Sequence, residues 1–200
     1  MLEVKGLYND ILKPVSLELA AGECISLEGA SGAGKTVFLR ALADLDEACG
    51  EVFLNGAERN TMSAPQWRKG VRYLAAEPGF WETTLAGHFD TACLDPGREI
   101  LVRLGLAGDA MNWRIERMST GEKQRAGLAL GLASNPAVIL ADEPTSALDA
   151  QAAGRVEELL RARMKDGAAI VLVSHDPAFA WRLADRRFVI RDGQISAEAS

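Results

Sequence analysis

The chain has 200 residues, 48% apolar and 25% charged, the composition of a folded globular protein long enough to bury a core without cross-links. Its 22 Lys and Arg against 28 Asp and Glu leave a net charge of −6, which argues against a surface built to neutralise nucleic-acid phosphates. Cys24, Cys49 and Cys93 are odd in number, far apart and without a Cys-x-x-Cys pair, so they are expected to be small buried side chains in a reducing compartment rather than bridges or zinc ligands.

Met1 leads into Leu-Glu-Val-Lys with neither a basic nor a long apolar leader, and nowhere do about 18 apolar residues run without a charge. No signal peptide and no spanning helix are expected, which places the protein in the cytosol. Residues 2–7, 15–19, 24–28 and 52–55 read as strands, the last set between Gly50 and Gly56. A turn-rich stretch over 56–65 precedes another strand at 71–75, which Pro78 and Gly79 follow. From about 83 to 132 apolar residues recur three or four apart, as in Ile100, Leu101 and Leu104, and predict a helical lobe. A buried strand at 138–141, an amphipathic helix at 150–165, a strand at 169–173, a short helix at 177–184, a strand at 188–190 and a final strand after Asp192-Gly193 complete an α/β pattern. The sheet should be mostly parallel, and one domain over 1–200 is expected.

Gly29, Ala30, Ser31, Gly32, Ala33, Gly34, Lys35 and Thr36 match Gly-x-x-x-x-Gly-Lys-Ser/Thr between a strand and a helical segment that begins at Val37. Glycines let successive backbone N–H groups surround phosphates, Lys35 reaches the terminal phosphates, and the Thr36 hydroxyl suits Mg²⁺. Val37 lacks the second hydroxyl that would add a phosphate contact. The strand Val138-Ile-Leu-Ala ends in Asp142 and Glu143, and a buried parallel strand delivers its last residues to the sheet edge where α/β folds bind ligands. Asp142 can then hold Mg²⁺, and Glu143 can take a proton from attacking water. Ser119, with Gly121 and Glu122 behind it, reads both as a capped helix start and as a second anion-binding terminus.

These residues, in this order, resemble the ATP-binding cassette (ABC) ATPases along the whole chain. Residues 29–36 are similar to that family's Walker A loop, Met118 to Glu122 to its signature, 138–143 to its Walker B strand, Ser146-Ala-Leu-Asp149 to its D-loop and His175 to its switch histidine. The resemblance implies a P-loop NTPase core with an N-terminal antiparallel β-subdomain, the inserted helical lobe, and ATP with Mg²⁺ as ligands. It further implies that two cassettes pair head to tail as a homodimer or heterodimer. Lys35, Thr36, Asp142, Glu143 and His175 of one then enclose ATP with Ser119 and Gly121 of the other, and His175 bonds the γ-phosphate. Tyr8 lies where an aromatic would stack on adenine, although a strand-face tyrosine reads nearly as well.

The chain departs from the family where Ala76 stands in place of a glutamine that touches Mg²⁺ and links to the membrane partner: either Glu77, next to it, shifts by one residue to serve, or the contact is absent. Phe80, Trp81, Trp67 and Trp113 are either contacts for a membrane partner or core packing. The expected role is the energy-supplying subunit of a transporter, peripheral on the cytosolic face of the membrane, with a separate multi-spanning permease and no nucleic acid. The alternative is a soluble ABC ATPase acting on ribosomes or DNA, which the charge and the single cassette disfavour.

Overall fold

The computed structural model describes residues 1–198. Strands β1 (Leu2–Tyr8), β2 (Val15–Leu19) and β3 (Cys24–Glu28) lead into α1 (Lys35–Leu42). Next come β4 (Cys49–Leu54), β5 (Ala57–Glu58), α2 (Ala64–Gly70) and β6 (Val71–Leu74). Helices α3 (Leu94–Arg103) and α4 (Thr120–Leu132) precede β7 (Val138–Asp142), and α5 (Ala150–Lys165), β8 (Ala169–Val173), α6 (Pro177–Leu183), β9 (Arg186–Arg191) and β10 (Gln194–Ala197) follow.

Four strands form an antiparallel sheet in the order β2-β1-β4-β5, and six form the main sheet in the order β10-β9-β3-β8-β7-β6. The main sheet is parallel except for the β9–β10 hairpin. β7 and β8 are buried at every position, because successive residues face opposite cores. Ile139, Ala141, Ile170 and Leu172 pack toward α3 to α6, whereas Val138, Leu140, Val171 and Val173 pack toward α1 and the antiparallel sheet. In β2 the alternation is of the half-buried kind, with Val15, Leu17 and Leu19 inside and Ser16 and Glu18 out.

The stretch over 83–132 is less helical than its periodicity predicts. It holds α3 and α4, with single 3-10 turns before α3 at 85–88 and 91–93 and between the two helices at 110–112 and 115–117, because Gly105 and Gly108 stop α3 from running on. The turn-rich 56–65 region yields β5 and the start of α2, where the Gln66 side chain accepts the Ser63 N–H at 3.2 Å in a capping box. Of the cysteines only Cys24 is buried; Cys49 is exposed and Cys93 half-buried, which corrects the expectation for those two.

α4 crosses β6 closely at Gly131, where a Cβ would stand 2.1 Å from Leu74 Cδ2. Replacing glycine by alanine inside a helix ordinarily stabilises it by about 0.5–1 kcal/mol. Here overpacking dominates, and Gly131→Ala should destabilise the fold by about 1–3 kcal/mol, read as a lower urea midpoint.

Candidate functional site

β3 ends at Glu28 and the chain turns through residues 29–34 into α1. The turn lies so close to β9 that a Cβ on Gly29 would meet Ile190 O at 2.5 Å, and Gly34, the residue capping α1, has a φ of 108° that side chains resist. α1 has no side-chain cap and no acidic residue in its first turn, so its N-terminal N–H groups and dipole are available to an anion. Lys35 is buried and turned back on the loop, with Nζ donating to Gly29 O at 2.7 Å and to Ala30 O at 3.0 Å. The ammonium therefore occupies the hollow of the loop and is held only by neutral carbonyls, which a phosphate can outbid.

At the next residue, Thr36 Oγ1 donates to Asp142 Oδ2 at 2.8 Å across 106 positions of sequence. The same carboxylate oxygen accepts the Tyr73 phenol at 2.9 Å. Burial, and then the negative charge of Asp142, push the Tyr73 phenol far above its usual range, so it keeps its proton and acts as a donor. Beyond the end of β7, Glu143 adopts a left-handed backbone with φ of 49°. Its N–H donates to Val173 O at 2.9 Å, and its own carbonyl accepts Gln124 Nε2 at 2.8 Å, which holds the strained conformation in place. The carboxylate turns toward the end of β8. There Oε2 accepts the His175 backbone N–H at 2.9 Å, while Oε1 has no hydrogen-bond donor and lies 3.4 Å from His175 Nε2.

Ser31, Gly32, Gly34, Lys35, Thr36, Val37, Asp142, Glu143, Val173 and His175 thus surround one open cavity of about 230 Å³, with Ile11 at its rim. Ile11, Ser31 and Gly32 also border a larger cavity of about 840 Å³, together with Gly29, Ala30, Ala33 and the β9–β10 hairpin. Tyr8 lies on neither. It sits on β1 opposite Cys49, and the short loop after it brings Ile11 to the rim instead. Ser119 and Gly121 are also outside both cavities, at the start of α4, where the Ser119 N–H and hydroxyl each lie 2.8 Å from one Glu122 carboxylate oxygen. That double hydrogen bond lowers the Glu122 pKa below its ordinary value.

Neither Ala76 nor Glu77 borders the cavity, and Glu77 is exposed. Trp67 is buried and donates to Leu42 O, while Phe80 and Trp113 pack on the core; Trp81, 74% exposed, alone of the four faces solvent. Sequence reasoning missed Gln124 and Tyr73. Gln124 is buried, and besides Glu143 it bonds Ser146 Oγ at 3.2 Å and accepts the Ala147 N–H at 2.9 Å. A polar residue among the apolar positions of a helix was the available signal for it; Tyr73 carried none beyond its place on a strand. The adjoining Thr36 hydroxyl and Asp142 carboxylate form a hard-oxygen donor pair, which fits Mg²⁺. Among the described residues no group of three or more His, Cys, Asp or Glu forms a separate metal cluster.

The ABC transporter family model matches residues 12–146, which include the phosphate loop, the start of α4 and the end of β7. The chain belongs to the ABC transporter family. It is 37% identical to the aliphatic sulfonates import ATP-binding protein SsuB 2 of Nocardia farcinica over 94% of this chain and 77% of that one. It is 32% identical to the macrolide export ATP-binding/permease protein MacB of a Shewanella strain over 99% of this chain, which spans only 34% of MacB. Among solved structures, the ATP-binding cassette MJ0796, a dimer bound to ADP and Pi in a post-hydrolysis state, superposes with a TM-score of 0.87 at 26% identity, covering 99% of this chain and 98% of that one. The fold expected from sequence, a P-loop core with a mostly parallel sheet and an antiparallel β-subdomain, is that of this ABC cassette.

Gln124 ties α4 to the backbone of Glu143 and to Ser146 and Ala147 beyond it. Gln124→Leu leaves the Glu143 carbonyl and the Ala147 N–H unpaired, each at a cost of about 1–3 kcal/mol, and should lower the thermal midpoint by several degrees in a differential scanning measurement.

Proposed function

We propose that this chain is the ATP-binding and ATP-hydrolysing subunit of a transporter, held at the cytosolic face of the membrane by a separate multi-spanning permease and working as a dimer of cassettes. The observation that carries this reading is the convergence of Lys35, Thr36, Asp142, Glu143 and His175, from the ends of β3, β7 and β8, on one cavity. No described helix is long and apolar enough to cross a membrane, so a span must come from another segment or chain. SsuB 2 is named as an import ATP-binding protein and MacB as an export ATP-binding/permease protein, so both directions of transport occur among the relatives.

ATP hydrolysis here follows from the residues. Lys35 leaves the carbonyls of Gly29 and Ala30 and forms charge-assisted bonds to the β- and γ-phosphates, beside the open N–H groups of α1. Thr36 and Asp142 are the side chains that would hold Mg²⁺, whose charge would offset that developing on the phosphates. Glu143, fixed through its backbone and through Oε2, presents an unpaired Oε1 as the acceptor for the proton of the attacking water. His175, 69% exposed at its side chain, can turn its ring to the γ-phosphate. The nucleoside lies over the rim at Ile11, which lines both cavities, whereas Tyr8 lines neither.

The γ-phosphate side of this cavity faces solvent, and Ser119 and Gly121 of a second cassette would cover it. Lys35→Ala should weaken ATP binding at least tenfold. Glu143→Gln should keep binding and lose turnover by a factor on the order of 10²–10⁴, which a phosphate-release assay beside a binding titration measures. Turnover by Glu143→Gln at the wild-type rate would refute the base assignment.

In this proposed dimer the phosphate must compete with Glu122, whose carboxylate already takes both Ser119 donors. Glu122→Gln removes the charge and keeps a side chain able to cap. In the Glu143→Gln background it should tighten the Mg-ATP-dependent dimer by roughly tenfold, about 1.4 kcal/mol, read by sedimentation.

A further inference from the structure

β6 lies beside β7 in parallel register, with Tyr73 opposite Leu140. Its phenol reaches past the end of the β7 apolar run to Asp142, so a residue from a neighbouring strand shares the carboxylate that Thr36 also bonds. Both protein donors, at 2.8 Å and 2.9 Å, converge on Oδ2. Among the described residues no donor reaches Oδ1, although Asp142 is only 4% exposed. A buried aspartate rotates about a broad two-fold torsion unless something holds it, and a carboxylate that ligates a cation gains affinity when neighbours fix its orientation. Thr36 cannot be the sole anchor, because its oxygen is itself a prospective ligand and must turn when a cation arrives. Tyr73 has no such second duty. Its ring is half-buried, and its O–H donates to Asp142 Oδ2 at 2.9 Å.

We infer that Tyr73 is a positioning residue for the cation site: its phenolic O–H pins Oδ2 of Asp142 and thereby presents Oδ1 to Mg²⁺ or to the water Mg²⁺ carries. This inference rests on the reading of Thr36 and Asp142 as the cation-holding pair. It also supplies a polar connection that Ala76 cannot. β6 runs directly into the segment of Ala76 and Glu77, neither of which reaches the cavity, so Tyr73 is the contact through which that strand senses the metal-binding carboxylate.

The chain holds two tyrosines, Tyr8 and Tyr73, so incorporation of 3-fluorotyrosine gives two fluorine resonances, assigned by loss of one in Tyr73→Phe or, should that variant not fold, in Tyr8→Phe. In the Glu143→Gln protein saturated with ATP, addition of Mg²⁺ should shift the Tyr73 resonance and leave that of Tyr8 in place. Tyr73→Phe should weaken Mn²⁺ binding to the ATP complex, followed by electron paramagnetic resonance, by about tenfold, with ATP affinity in the absence of metal unchanged. In otherwise wild-type protein it should raise the Mg²⁺ concentration for half-maximal turnover by the same factor, with kcat at saturating Mg²⁺ within about twofold. A Tyr73 resonance indifferent to Mg²⁺, or Mn²⁺ affinity unchanged in Tyr73→Phe, overturns the inference. Asp142→Asn separates the two levels: if it loses Mn²⁺ while Tyr73→Phe does not, only the role of Tyr73 fails, and if it binds Mn²⁺ as tightly as before, the cation pair itself is wrong.

Discussion

The site hangs on the parallel pairing of β7 with β8. Five consecutive residue pairs, from Val138 with Ala169 to Asp142 with Val173, bring the carboxyl ends of two fully buried strands level. Glu143 then continues the ladder by one more bond, from its N–H to Val173 O, while its φ turns positive. A slip of one residue in that register would send Asp142 to the opposite core and leave Thr36 without its partner. Stability and chemistry are coupled here, because the apolar burial that fixes the register also fixes where the two carboxylates stand.

Around that ladder the hydrogen bonds are of two kinds. Those of Gln124, itself buried, with Glu143, Ser146 and Ala147 serve as a brace between α4 and the end of β7. Those of Lys35 and Ser119 are provisional. Lys35 spends its donors on loop carbonyls and Ser119 on the Glu122 carboxylate, and in the proposed dimer both sets are ones an incoming phosphate would replace. A charged donor bound to neutral carbonyls gives way readily, whereas a hydroxyl held by a carboxylate gives way only against the repulsion between that carboxylate and the phosphate. The two halves of the site therefore differ in readiness.

Much of this was legible in the chain. Strands at 15–19, 24–28 and 169–173 and the helix at 150–165 are recovered with the same ends, because each is an apolar run, a two-residue alternation or a clear 3.6-residue pattern. The phosphate loop and the Asp142-Glu143 pair were legible because glycine spacing and a carboxylate after a buried strand are local facts. Two features were misread for opposite reasons. The 83–132 lobe kept helical periodicity although Gly105 and Gly108 end α3 and leave short turns on the way to α4, and α2 was hidden in a polar stretch whose Ser63 and Gln66 cap a helix.

The sequence by itself determined which residues are candidates for the chemistry: their kinds and order, and the strand or helix end on which each sits, depend on backbone preferences a few residues long. Only the tertiary structure decided their distances. Nothing local says that Tyr73 on β6 would meet Asp142, that Gln124 would hold the carbonyl of Glu143, or that Ile11 rather than Tyr8 would stand at the rim of the phosphate cavity. Those contacts join segments between 19 and 69 positions apart, or depend on how a shortened loop folds back on the β9–β10 hairpin, where Lys13 N–H donates to Gly193 O. They are set by strand register and helix packing, which the whole core fixes cooperatively.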